Sequence, residues 1–124
     1  MWLALREGNA ICRLDLKAGT IHHVAGTGAK GMSDGPAPQA TLSGPKGISI
    51  APGGAVYFAD TESHTIRRVR EGRVETVAGT GQRGDGGDGD PLKCALARPH
   101  GVFASDRVYI GDSENNKVRI LLLE

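Results

Sequence analysis

The chain has 124 residues, enough for one domain with a buried core. Its 15 Lys and Arg stand against 14 Asp and Glu, a net charge of +1 that argues against a nucleic-acid or polyanion partner. No run approaches the roughly 20 apolar residues of a membrane-crossing helix. Glycine is abundant, at 19 residues, and aromatics make up only 4%, which predicts many turns and short strands. Met1–Leu5 is too short, and too soon followed by Arg6-Glu7, to read as a signal peptide. No membrane partner is therefore expected, and the compartment stays open. Cys12 and Cys94 lack metal-ligand spacing and read as two small thiols rather than a disulfide or zinc site.

In chain order the sequence repeats itself. Trp2–Leu14 (WLALREGNAICRL) aligns with Tyr57–Val69 (YFADTESHTIRRV). Val24–Gly28 (VAGTG) returns at Val77–Gly81, and Gly44–Ile50 (GPKGISI) as Arg98–Ala104 (RPHGVFA). Val56–Val69 (VYFADTESHTIRRV) returns as Val108–Leu121 (VYIGDSENNKVRIL). Several blocks at nearly one offset mark a structural repeat. The complete copy predicts four strands near Gly47–Ala51, Ala55–Asp60, Thr65–Arg70 and Arg73–Thr80, at positions A to D from inner to outer. Pro52-Gly53-Gly54 and Glu71-Gly72 supply hairpin turns, and Asp60–His64 a polar turn in which Asp60 and Thr61 cap backbone amides. Ile66 and Val69 must face opposite ways, as must Val56 and Tyr57, so the sheet is packed on both faces.

Antiparallel four-stranded repeats covered on both faces imply an all-β fold of β-propeller blades. The chain divides as one repeat segment, 1–124. It has a partial blade B-C-D over 1–28, a full blade A-B-C-D over 44–81 and a partial blade A-B-C over 98–124. The glycine-rich runs from Gly28 to Pro45 and from Gly81 to Pro99 then cross from an outer strand to the next inner one, roughly 14 Å away. Gly84–Asp90 (GDGGDGD) is read as part of that connector. Its Asp85, Asp88 and Asp90 are alternative calcium ligands, although an EF-hand's closing glutamate is missing. GTGQRG matches a dinucleotide fingerprint in letters, but no helix follows it.

The blocks VAGTG, SDGPAPQATLSGPKGISI and VYFADTESHTIRRV resemble the NHL-repeat family, whose members are usually six-bladed propellers. The resemblance covers essentially the whole chain. Departures include Leu5 where the second copy has Asp60, Ser63 where the family has Asn, and Asn116 in place of the family's His. Ten strands fall well short of the about 24 that six four-stranded blades need. The expectation is that the ring is completed by other copies of the chain or by the missing blades of a longer one. A dimer is preferred to a trimer because it finds a place for every strand.

Function on such a scaffold belongs to the loops around the channel. Lys46 and His100 hold equivalent positions at its mouth, beside the turns Thr61, Glu62, Ser63 and His64, and Glu114, Asn115 and Asn116. The Pro99-His100-Gly101-Val102 segment resembles the zinc-binding segments of the amidating lyase, another propeller, which makes His100 a candidate zinc ligand. His64 is expected to be structural, packing beneath its turn. His22 and His23 are adjacent on a strand, point to opposite faces and cannot share a ligand. The resulting reading is a non-enzymatic module that binds a protein or small ligand, or assembles, through the channel-mouth face, with no cofactor. The alternative is a metal-dependent lyase or hydrolase with its site on the propeller axis.

Overall fold

A computed structural model describes residues 1–123. It is built from antiparallel strands joined by turns, with no α-helix among the described residues. The first blade holds β1 (Trp2–Leu5), β2 (Ala10–Asp15) and β3 (Thr20–Ala25) in that order. The second has β5 (Pro45–Ile50), β6 (Val56–Asp60), β7 (Thr65–Arg70) and β8 (Arg73–Ala78), from inside to outside. The third contains β9 (Gly101–Ala104), β10 (Arg107–Asp112) and β11 (Lys117–Leu122).

The second blade has a fifth strand that the sequence reading left inside a connector. Gly35–Pro36 (β4) pairs antiparallel with β8, Gly35 opposite Val74 and Pro36 opposite Arg73. A proline can join a sheet only where its missing N–H is not needed, and this outer edge is such a place.

The alternation within β6 sets the packing on both sides. Val56 and Phe58, with Val69 and Val74, meet Ile11, Ala25 and Leu42 between the first and second blades. Tyr57 and Ala59, with Ile66 and Ala78, meet Leu96, Val108, Ile110 and Leu121 between the second and third. Each Val, Leu, Ile or Phe among them, fully buried, contributes roughly 1.5–3 kcal/mol, and each alanine less. Leu42 and Leu96 occupy equivalent positions in the two cores, each at the end of a connector that folds back on itself. Lys30 bridges to Leu42, and Arg83 to Leu96.

The inner strands approach each other closely. The Gly47 N–H donates to the His100 carbonyl at 2.9 Å, and a β-carbon at Gly47 would collide with that oxygen. Beyond the third blade the packing stops: Phe103, Val118, Ile120 and Leu122 are exposed, Val118 to 73%. Cys12 and Cys94 are both free thiols; Cys12 is buried and Cys94 half-buried.

Candidate channel-mouth site

The equivalent turns β1–β2, β6–β7 and β10–β11, which join blade positions B and C, each end on a residue in the left-handed backbone region: Asn9 (φ 49°), His64 (φ 59°) and Asn116 (φ 57°). Asparagine and histidine tolerate that conformation better than most residues. At the first junction the Asn9 Oδ1 accepts the Gly44 N–H at 2.9 Å, and its Nδ2 donates to the Gly28 carbonyl at 3.2 Å. At the second, His64 Nδ1 accepts the Arg98 N–H at 3.0 Å. Thr61 adds a buried bond there, its hydroxyl donating to the Pro99 carbonyl at 2.7 Å.

Asp60 does not cap its own turn, as the sequence suggested. It is wholly buried, with Oδ1 accepting the Ser43 N–H at 2.8 Å and Oδ2 accepting from Ser63 Oγ at 2.7 Å and Arg67 Nη1 at 3.0 Å. Arg67, itself wholly buried, also donates to the carbonyls of Thr41 and Ser33 and to Asp34. It thus fastens the incoming connector onto the second blade. The third blade repeats the device. Arg119 joins Asp112 at 2.7 Å, the Gly86 carbonyl at 2.9 Å and Asp85 at 2.7 Å, while Asp112 accepts the Ala97 N–H.

This clamp escaped the sequence reading, which followed turns and histidines. The signal was nevertheless there: Asp60 with Arg67 and Asp112 with Arg119 recur at one spacing, and the first copy replaces both partners, by Leu5 and Cys12.

The candidate residues separate into two groups. Glu62 pairs with Lys30 at 2.5 Å and with Arg6 at 3.9 Å, and the Lys30 hydrogen bond holds its carboxyl below the usual range. Glu114 pairs with Arg83 and with Arg98 at 3.1 Å, and the Arg83 hydrogen bond lowers its pKa likewise. Asn115 donates to Gly84 and Asp112, and Ser63 to Asp60. These residues hold connectors in place. Lys46 and His100 are brought together instead, with Nζ and Nε2 3.3 Å apart across β5 and the lead-in to β9. Burial first, and then the Lys46 ammonium, push the His100 imidazole below its ordinary pKa.

The loop aspartates do not converge. Asp85 accepts from Lys117 and Arg119, and Asp90 caps the short turn at Pro91–Lys93 through the Leu92 N–H at 3.0 Å. Asp88 is exposed. Among the described residues no three His, Cys, Asp or Glu side chains are grouped to hold a metal ion. His22 and His23 are exposed on β3, at the blade's outer edge.

No family model matches the chain. The bovine protein called NHL repeat-containing protein 2 is 32% identical over 139 residues, covering 98% of this chain and 19% of that protein. The alignment spans all three sheets, which stack as propeller blades. The chain belongs to the NHL-repeat β-propeller family. Solved structures agree on the fold. A Bacteroides thetaiotaomicron protein of unknown function superposes with a TM-score of 0.87 at 20% identity, over 96% of this chain and 31% of its own. An auxiliary nutrient binding protein from the same organism gives 0.82 at 27% identity, over 96% and 33%. This NHL chain therefore spans about a fifth of its curated relative and about a third of those solved chains.

Proposed function

We propose that this NHL segment is a non-enzymatic binding module. It presents its channel-mouth face to a partner protein or small ligand, and its open blade faces are covered by other copies of the chain or by further blades. The observation that carries the reading is the Lys46–His100 pair. The neighbouring turn residues hold connectors, whereas these two nitrogens meet across β5 and the lead-in to β9, and His100 is exposed. Two nitrogens 3.3 Å apart suit an anionic or carbonyl group on a ligand. The similarity to a nutrient binding protein supports binding rather than turnover. The lyase or hydrolase alternative needs His100 as a metal ligand, and an ammonium 3.3 Å away opposes a dication there.

Nuclear magnetic resonance titration tests the module. A short acidic peptide should shift the Lys46 and His100 signals, and the response should vanish in Lys46→Ala and His100→Ala. Stoichiometric zinc held by His100, or peptide shifts confined to other faces, would overturn it. Native mass spectrometry tests assembly: two chains are expected, three would favour the trimer, and a soluble single chain would assign the open faces to further blades.

A further inference from the structure

The two blade junctions use the same hydrogen bond with different acceptors. At the first, a carboxamide that never titrates accepts the Gly44 N–H. At the second, an imidazole nitrogen accepts the Arg98 N–H. An imidazole can accept at Nδ1 only when that nitrogen carries no proton, so neutral His64 must hold its proton on Nε2. Protonation turns Nδ1 into a donor facing a donor.

We propose that His64 is a pH-responsive clasp between the second and third blades, closed when the imidazole is neutral and released when it is protonated. The bond it controls lies at the lead-in to β9, next to the Thr61–Pro99 bond and the Gly47–His100 bond that seat the inner strand. Release would loosen that lead-in at one junction and leave the other closed.

The surroundings of His64 favour release on protonation. Arg83 from the connector and Arg98 from the lead-in to β9 both repel a positive imidazolium, and Glu114 from the third blade's turn attracts it. Glu62, on His64's own turn, is engaged with Lys30 and Arg6. Burial, ahead of these charges, lowers the His64 pKa from 6.5. The folded chain therefore takes up this proton less readily than the unfolded one. The clasp contributes fully above about pH 6.5, weakens as pH falls through the folded pKa, and below that the loss levels off.

Amide hydrogen exchange on the whole chain tests the clasp, with the Gly44 amide as the internal reference for the Arg98 amide. Between about pH 7.5 and about pH 5.5 the protection of Arg98 relative to Gly44 should fall about tenfold. His64→Asn, which installs the residue found at positions 9 and 116, should make that ratio flat. His100→Asn should leave the fall intact. A flat ratio in the unaltered chain would overturn the clasp, as would an equal fall in His64→Asn or its disappearance in His100→Asn. The neutral-pH tautomer of His64 gives a check that needs no variant: a proton on Nδ1 contradicts the clasp.

Discussion

The first blade and the two that follow it differ at one pair of positions. β6 ends in Asp60 and β10 in Asp112, but β1 ends in Leu5; β7 carries Arg67 and β11 Arg119, but β2 carries Cys12. Both charges are present or both are absent. A buried charge without its partner costs far more than an apolar pair of similar size, so the clamp is kept or exchanged as a unit. The second and third blades differ in degree as well. The Arg67 side chain has no exposure and that of Arg119 has 13%, because β8 and β4 cover the outer side of the second blade.

The largest effect should come from breaking one half of the buried clamp. Arg67→Ala should cost about 3–5 kcal/mol in chemical denaturation, because Asp60 is left buried without its cation. Arg119→Ala should cost at least about 1 kcal/mol less, since Arg119 is itself partly exposed and solvent reaches its second carboxylate, Asp85, although Asp112 is buried. The double change Asp60→Leu with Arg67→Cys, which copies the first blade, should recover more than half of the Arg67→Ala loss. If the double variant is no better than the single one, the clamp is not a unit.

Next come the inner strands. Gly47→Ala should destabilise by about 1–3 kcal/mol, as the new methyl pushes β5 away from the His100 carbonyl. Gly101→Ala, at the equivalent place in the third blade, meets no atom within 4 Å and should stay within about 0.5 kcal/mol. Equal melting shifts for the two would remove the distinction between the junction and the open face.

Smaller still, Thr61→Val should lose about 1 kcal/mol by leaving the buried Pro99 carbonyl unpaired. Ser113→Ala, on an exposed turn, should be close to silent. The smallest effect belongs to the surface pair: Lys30→Ala should cost at most about 1 kcal/mol, and less in high salt. Because Lys30 lowers the Glu62 pKa, that contribution is complete above the carboxyl's ordinary value near 4.5. It should fade as pH drops through the lower folded value. A denaturation midpoint followed across that range, with and without Lys30, checks the sign.

The blades were legible in the sequence because their causes are local. Hairpin turns at Pro52–Gly54 and Glu71-Gly72, with two-sided apolar strands, are written within a few residues of each other. The resemblance of VYFADTESHTIRRV to an NHL repeat added the ring. What escaped notice acts at long range. Asp60 looks like a turn cap, yet its partners include Ser43 and Arg67; Asp34 meets an arginine 33 residues on. His64 was rightly placed in a turn, but its acceptor role depends on an amide 34 residues away. β4 has two residues, one of them proline, and so shows no periodicity at all.

Each connector is tied by backbone bonds to the blade it leaves and fastened by its aspartate to an arginine of the blade it enters. β4 lies against β8, Asp34 against Arg67, and Asp85 against Arg119. The transferable unit of this architecture is therefore offset from the visible sheet. A gene duplication or domain graft cut cleanly at β5 would strand the second blade without Asp34, Ser33 and Thr41. One cut within the preceding VAGTG block, Val24–Gly28, would carry the connector and its anchoring residues along with the blade they secure.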